Sequence, residues 1–213
     1  MILVCACIIN RVDGIAAFIL AGGRSSRMGT DKALLQLGCQ TLLGRALSLA
    51  ATVAPEVRIV GDPQQFLPFG RVVQDVFPGH GPLGGIHAAV SESSADLNLG
   101  LAVDLPFVES KFLAYLIASA CQCAAVVTVP HPADGWQPLC AVYRREFAAV
   151  AESALRRGKN RIDVLFSQVE TRAIGEEELV RMGFSAKMFR NLNTPEEWQK
   201  ASAEFEARER PEA

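Results

Sequence analysis

The sequence contains no apolar run long enough to cross a membrane. Residues 1–9 are almost wholly apolar, but Asn10, Arg11 and Asp13 follow at once, whereas a membrane-spanning helix needs about 20 apolar residues. A secretory signal peptide fits equally badly, because no Lys or Arg precedes this run and no small-residue cleavage site follows it. We therefore expect a cytoplasmic protein with a short N-terminal extension, residues 1–13, and no association with a membrane.

An excess of positive charge is also missing. The 213 residues include 21 Lys and Arg against 23 Asp and Glu, which gives a net charge of -2. Such a chain creates no overall positive field, so binding to nucleic acid or to an anionic membrane surface is not expected. Half of the residues are apolar, which is enough to form a substantial core within one domain.

No C-x-x-C motif occurs among the six cysteines, and the three histidines are scattered along the chain. The spacing of ligands that a structural zinc site requires is therefore absent. We expect the thiols to be free and buried, as in proteins of a reducing compartment. The cysteines are Cys5, Cys7, Cys39, Cys121, Cys123 and Cys140.

Strand-like and helix-like segments alternate along the chain. The predicted strands are residues 15–20, 57–60, 71–74, 97–103, 124–129, 136–143 and 170–174. The predicted helices are residues 41–53, 83–91, 110–120, 145–157 and 176–182, with a last one opening at residues 193–197. Thr41, Ser110 and Asn193 are the expected N-caps.

This alternation predicts an α/β fold, namely a three-layer α/β/α Rossmann-like sandwich around a mostly parallel central sheet. We expect one domain at residues 14–200, followed by a charged C-terminal tail at residues 201–213. In such sheets ligands bind beyond the carboxyl ends of the strands. Functional residues are therefore expected directly after each strand.

A glycine-rich, basic loop follows the first predicted strand. Residues 20–32 read L-A-G-G-R-S-S-R-M-G-T-D-K. Glycine lets backbone approach a ligand closely, and Arg and Lys supply the charge that a polyphosphate needs, so the loop predicts a phosphate-binding site. It differs from the G-x-x-x-x-G-K-[ST] and G-x-G-x-x-G loops in its spacing. An ordinary glycine turn before a solvated basic stretch is the alternative that the loop residues leave open.

The same loop, written L-A-G-G-x-S-x-R-M-G-x-D-K, resembles the signature loop of nucleotidyltransferases with the GT-A-like fold. Its Asp-Lys ending is similar to that of the molybdenum cofactor guanylyltransferases of the MobA type. Further stretches that resemble this family recur in order along the chain. They are Asp75 with residues 78–86 (P-G-H-G-P-L-G-G-I), then residues 104–106 (D-L-P), 137–139 (Q-P-L) and 189–197 (F-R-N-L-N-T-P-E-E).

The resemblance implies roles for individual residues. The implied catalytic residues are Lys32, Arg27 and Asp104, and Asp104 is also the implied ligand of a Mg²⁺ cofactor, for which one carboxylate is sufficient. The implied nucleotide-binding residues are Leu20, Ala21, Gly22, Gly23, Lys32, Asp75 and Asp104. The implied contacts to a second substrate are Asn191 and Asn193. From the residues alone, an Asp after a strand is as readily a helix cap as a metal ligand.

The implied reaction transfers GMP from GTP to the phosphate of Mo-molybdopterin, releases pyrophosphate and forms the molybdopterin guanine dinucleotide cofactor. GTP is favoured over CTP because CTP-using relatives tend to carry alanine where this chain has a glycine of the Gly22-Gly23 pair. Molybdenum-insertion proteins and molybdoenzyme chaperones are the implied candidate protein partners. The chain departs from many relatives at Val60-Gly61-Asp62, where they have an asparagine.

Two other function classes stay open at this point. One is a related cytidylyltransferase, or a nucleotidyltransferase acting on a sugar or alcohol phosphate. The other is a catalytically idle nucleotide-binding partner protein, which would be expected to have lost Lys32, Arg27 or Asp104, although all three are present.

Overall fold

The computed structural model of the protein describes residues 14–22, 32–192 and 194–209. In this part of the chain the strands are β1 (Ile15–Leu20), β2 (Gln36–Leu37), β3 (Gln40–Thr41), β4 (Glu56–Val60), β5 (Val72–Val73), β6 (Leu97–Ala102), β7 (Val127–His131), β8 (Cys140–Arg144) and β9 (Thr171–Gly175). The α-helices are α1 (Leu42–Ala51), α2 (Pro63–Phe66), α3 (Pro82–Glu92), α4 (Ser110–Cys121), α5 (Phe147–Arg156), α6 (Glu176–Arg181) and α7 (Pro195–Glu209).

Seven strands form one sheet in the order β5-β4-β1-β6-β8-β7-β9, and β2 pairs with β3 in a separate hairpin. β5, β4, β1 and β6 are parallel neighbours. β8 runs antiparallel to both β6 and β7, and β7 is parallel to β9. The prediction of a mostly parallel sheet is therefore confirmed, with β8 as the reversed strand among the seven.

The central strand β1 explains why helices cover both faces of the sheet. All six of its residues are buried, because neighbouring side chains point to opposite faces and each face is packed. Ile15, Ala17 and Ile19 face a first core that includes α1, α4, α6 and α7. Ala16, Phe18 and Leu20 face a second core formed with α3 and α5. The three-layer sandwich follows from this division.

Local signals define several helix ends as expected. The side chain of Thr41 accepts a hydrogen bond from the Gly44 amide and caps α1. Beyond the carboxyl end of α5, Gly158 adopts a φ of 68° that favours glycine. Both ends of these two helices lie within two residues of their predicted boundaries.

Residues other than the predicted N-caps hold the start of two helices. Glu109 holds the N-cap position of α4 without a side-chain hydrogen bond, and the hydroxyl of Ser110 instead lies 2.6 Å from that of Thr52 on the neighbouring helix end. Asn193 lies outside the described residues, and the start of α7 is capped by Thr194 and Glu197. Their side chains and backbone amides exchange hydrogen bonds in a capping box.

The last helix contributes to the core. The predicted charged tail begins within α7, which runs to Glu209, and Ala201 and Phe205 of this helix are buried in the first core. Apolar side chains spaced four residues apart lie on the same helix face. The first core therefore extends past residue 200.

The burial of the described cysteines differs from the prediction. Cys140 is buried, and burial raises the pKa of its thiol to about 12. Cys39 and Cys121 are exposed and Cys123 is partly exposed, so buried thiols were the wrong expectation for these three. Cys5 and Cys7 lie outside the described residues.

No helix in the described ranges is both long and apolar enough to span a membrane.

The aromatic centre of the first core provides a stability test. Phe112 of α4 is fully buried, and its ring meets those of Phe184 and Phe189 edge-on at 5.1 and 5.3 Å between centroids. We expect Phe112→Ala to lower the free energy of unfolding by about 3–5 kcal/mol, because it removes these contacts and leaves a cavity. Urea denaturation measures this change.

The matched control is Phe69→Ala, since the Phe69 side chain is exposed. This variant should change the free energy of unfolding by about 0.5 kcal/mol or less. Equal losses for the two variants would contradict the assignment of Phe112 to the core.

Candidate functional site

The carboxyl ends of four neighbouring parallel strands meet at one edge of the sheet. Chain segments leaving β1, β4, β5 and β6 start there, and backbone hydrogen bonds hold the first residues of these segments together. The Ala21 and Gly22 amides both donate to the Val60 carbonyl, and the Gly61 amide donates to Val73. We call the set of Gly22, Lys32, Asp75, Gly84 and Asp104 the strand-end site.

Lys32 and Asp104 form an ion pair at this edge. Lys32 Nζ lies 3.1 Å from Asp104 Oδ2, although 72 residues separate them in sequence. The two side chains are 15% and 24% exposed, so the pair is accessible to a ligand but largely enclosed. Lys32 opens a short 3-10 turn, Lys32–Leu34, whose next residue Ala33 is fully buried in the first core. Packing of Ala33 therefore anchors the backbone that carries the Lys32 side chain.

The chain after Asp104 is anchored on both sides. Leu105 and Pro106 are buried, and the Pro106 carbonyl accepts a hydrogen bond of 3.1 Å from Arg45 Nε on α1. The next ring, Phe107, stacks on Phe205 of α7 at 5.4 Å between centroids. These contacts fix the backbone that carries the Asp104 carboxylate.

Arginine side chains complete this support. The Arg190 guanidinium lies 4.2 Å from the centre of the Phe107 ring, and that of Arg45 lies 4.0 Å from the centre of the Phe205 ring. Sequence patterns did not indicate these contacts, because they join α1, α7 and two loops that are distant in the chain. The last helix therefore supports the site without contributing a residue to it.

The Asp104 carboxylate fits a magnesium ligand in its chemistry. Oδ2 is engaged by Lys32, while Oδ1 accepts no hydrogen bond from any other residue that the structure describes. A magnesium site of one carboxylate takes its remaining ligands from substrate phosphates and water. No cluster of three or more His, Cys, Asp or Glu residues suited to a metal occurs in the described ranges, so Asp104 is the carboxylate that this edge offers next to the lysine.

Asp75 lies on the far side of the same edge, two residues after β5. Three strand spacings separate β5 from β6, which corresponds to about 14 Å. Asp75 Oδ1 accepts a hydrogen bond of 2.7 Å from the Phe77 amide. Its carboxylate packs against Gly84 in the first turn of α3, so closely that a Cβ on Gly84 would lie 2.5 Å from Oδ2.

Glycines at this edge allow close packing within the protein. A Cβ on Gly85 would lie 3.3 Å from the side chain of Val60, and one on Gly61 would lie 2.7 Å from the ring of Phe66. Gly84 and Gly85 thus let the start of α3 approach β4 and Asp75. These glycines therefore have a packing role within the protein.

Asp62 lies between β4 and α2. Its side chain accepts a hydrogen bond from the Gln64 amide at 2.9 Å and caps α2. Asp62 therefore has a local structural role as the N-cap of α2.

The other predicted site residues are placed as follows. Leu20 and Ala21 are buried at the end of β1 and Gly22 is exposed. The Ala21 and Gly22 amides are already bonded to Val60, so at Gly22 the chain offers an accessible surface rather than a hydrogen-bond donor. Asn191 is exposed and follows Arg190, which covers Phe107. Gly23, Arg27 and Asn193 lie outside the described residues.

His87 is a packing residue near Asp75. Its side chain is buried on α3, its Nε2 lies 3.2 Å from the Ser91 hydroxyl, and Phe77 packs edge-on against its ring. Burial lowers the pKa of His87, and the carboxylates of Glu152 and Asp75 oppose this shift in part. Burial therefore favours the neutral form of the imidazole.

Comparison with known sequences agrees with this geometry. The family model of the MobA-like NTP transferase domain matches residues 17–171. A probable molybdenum cofactor guanylyltransferase of Pelotomaculum thermopropionicum is 36% identical over 185 residues, covering 86% of this chain and 89% of that protein. A molybdenum cofactor guanylyltransferase of Desulfosudis oleivorans is 32% identical over 199 residues, covering 92% and 98% of the two chains.

Solved structures share the fold. Molybdopterin-guanine dinucleotide biosynthesis protein A from Archaeoglobus fulgidus superposes with a TM-score of 0.79 at 24% identity, covering 90% of this chain and 99% of that one. The 2-C-methyl-D-erythritol 4-phosphate cytidylyltransferase of Thermus thermophilus superposes with a TM-score of 0.67 at 18% identity, covering 92% and 99%.

The matched region begins in β1, includes the segments that carry Lys32, Asp75 and Asp104, and reaches the first residue of β9. It takes in more than half of the chain, and the curated relatives match along nearly their full lengths. The chain belongs to the family of MobA-like NTP transferase domains.

Proposed function

We propose that this protein transfers GMP from GTP to the terminal phosphate of Mo-molybdopterin and releases pyrophosphate. The observation that carries the proposal is the Lys32–Asp104 pair at 3.1 Å on the strand ends, in a chain whose relatives are named molybdenum cofactor guanylyltransferases. The lysine supplies a cation for phosphate, and the aspartate supplies an oxygen ligand for a metal.

The chemistry of this reaction requires little proton transfer. The attacking group is a phosphate oxygen that is already an anion, so no general base is needed. The barrier lies in bringing two anions together and in stabilising the charge of an in-line transition state. Fixed positive charge at the strand ends meets both requirements.

The residues divide these tasks. Asp104 would hold Mg²⁺, which supplies positive charge to the phosphate oxygens when it is bound. Lys32 binds the departing pyrophosphate and balances its charge, and Arg27 is proposed to assist from the preceding loop. Packing of Ala33 and of the segment after Asp104 keeps both groups oriented before the substrate arrives, which limits the cost of reorganisation.

The nucleotide lies along the ends of β1, β4 and β5. Gly22 offers a surface without a side chain, Gly23 is proposed to extend this surface, and the backbone of Leu20 and Ala21 forms its floor. Asp75 follows β5 at the same edge, and its carboxylate is proposed to accept a hydrogen bond from a hydroxyl or N–H group of the nucleoside. Asn191 and Asn193 are proposed to contact the second substrate.

The reaction is tested by pyrophosphate release with each of the four NTPs, with and without molybdopterin and Mg²⁺. We expect release with GTP only when molybdopterin and Mg²⁺ are both present. Preference for CTP would instead indicate a cytidylyltransferase. Release of pyrophosphate with a sugar or alcohol phosphate as acceptor would indicate a nucleotidyltransferase that acts on such a phosphate. No release with any combination would contradict an enzymatic function.

Loss of the Lys32 charge should slow catalysis. We expect Lys32→Ala to reduce kcat at least about 100-fold, the scale seen when one preorganised electrostatic group is removed. The matched control is Lys111→Ala, since Lys111 is 64% exposed and pairs with Glu109. Near-normal turnover of Lys32→Ala, with an unchanged melting temperature, would refute the role of the lysine.

The close packing of Gly84 on Asp75 predicts a binding effect. In Gly84→Ala the added methyl group meets the Asp75 carboxylate and displaces it, so we expect KM for GTP to rise by roughly 10-fold, as for the loss of one hydrogen bond to a charged group. Gly175→Ala is the matched control, because nothing lies within 4 Å of its Cβ position. Equal KM values for GTP in both variants would contradict a nucleotide contact by Asp75.

A further inference from the structure

An exposed aromatic stack lies at the same sheet edge and has no part in the proposed mechanism. The rings of His131 and Trp136 are parallel within 16°, with their centroids 4.0 Å apart. Trp136 also rests edge-on against Phe166 of the second core, at 5.1 Å between centroids. Because Phe166 is buried and His131 is exposed, Trp136 is fixed from within and the imidazole lies toward solvent.

Strand register places this stack beside Asp104. Leu99 of β6 and Thr128 of β7 both pair with Val142 of the intervening strand β8, so they lie at the same level of the sheet. Three residues further along these two parallel strands, Ala102 is level with His131. Two strand spacings separate them, or about 10 Å, and Asp104 follows two residues after Ala102.

A turn joins the stack to the strand that carries Asp104. The Gln137 amide donates to the carbonyl of Pro130, next to His131, and the Ala102 amide donates to the carbonyl of Leu139. The Tyr143 hydroxyl bonds to the carbonyl of Pro138 between them at 2.6 Å. The distance between the aromatic rings and the aspartate is therefore fixed by backbone.

The stack lies on the side of Asp104 away from the nucleotide. Gly22 and Asp75 belong to the β1, β4 and β5 side, whereas His131 and Trp136 belong to the β7 side. With the nucleoside proposed to lie along the ends of β1, β4 and β5, the β7 side of Asp104 is the part of this sheet edge that is left for the acceptor substrate.

We propose that the His131–Trp136 stack binds the planar pterin ring of the second substrate while its phosphate reaches the strand ends at Asp104. The inference rests on the proposed function and adds a binding site for the part of the substrate that does not react. Flat heteroaromatic rings stack on aromatic side chains with substantial affinity. The bound pterin then lies on the exposed face of the His131 ring and forms the third layer of the stack, after Trp136 and His131.

Steady-state kinetics of His131→Ala and His131→Phe test this site. We expect His131→Ala to raise KM for molybdopterin by roughly 10-fold, at the lower end of the loss when one stacking ring is removed, with KM for GTP and the melting temperature unchanged. His131→Phe keeps an aromatic face and should restore KM for molybdopterin. An unchanged KM for molybdopterin in His131→Ala would overturn the proposal, as would equal increases in both KM values.

Fluorescence gives a readout that does not depend on catalysis. The chain has two tryptophans, so Trp198→Phe leaves Trp136 as the remaining emitter. We expect unphosphorylated pterin to quench this emission, saturating amounts of GTP to leave the quenching intact, and His131→Ala to weaken it. Absence of quenching, or its abolition by GTP, would overturn the proposal, and abolition by GTP would assign the stack to guanine instead.

The two proposals fail in different ways. If no nucleotide supports pyrophosphate release with molybdopterin, the guanylyltransferase function is wrong, while quenching by pterin still decides whether the stack binds such rings. If guanylyl transfer proceeds normally in His131→Ala, the function stands and the pterin site is wrong.

Discussion

The ion pair between Lys32 and Asp104 is the contact on which the site depends, and stability alone does not explain it. Exposed ion pairs contribute only about 0–1 kcal/mol, and enclosing both charges removes part of their hydration. Their side chains are 15% and 24% exposed, so most of that hydration is lost. A chain that keeps such a pair at its strand ends, and supports it with packing on both sides, holds two opposite charges ready for a ligand that needs both.

The sequence predicted those features of the site that depend on the local pattern of apolar and polar residues. The apolar run of β1 ends in glycine, and that of β6 ends at Asp104, so both strand ends were evident. In a parallel sheet such ends share one edge, which places Asp104 near the loop after β1. The 3.1 Å contact itself needs β1 and β6 to be neighbours. A separation of 72 residues in sequence does not reveal that these strands are neighbours. The family resemblance nevertheless implied that Lys32 and Asp104 act in the same site.

The remainder depends on tertiary contacts that leave no periodic signal. Ser110 has the right residue type for a cap, yet its hydroxyl pairs with Thr52, because α1 ends beside α4. Phe205 looked like part of a charged tail, but its ring is covered by Arg45 and stacked on Phe107. His131 ends β7 and Trp136 lies five residues later, so their stacking follows from the turn that returns to β8. Composition and spacing contain none of this information.

The surfaces on the two sides of Asp104 are built differently, on the β4 and β5 side and on the β7 side. On the β4 and β5 side, glycine contacts and backbone hydrogen bonds fix the shape, so most substitutions there disturb packing. On the β7 side the surface consists of side chains on a turn, which can change without moving Asp104. Under the proposed function, substitutions on the β7 side therefore change acceptor binding while the Lys32–Asp104 pair is retained.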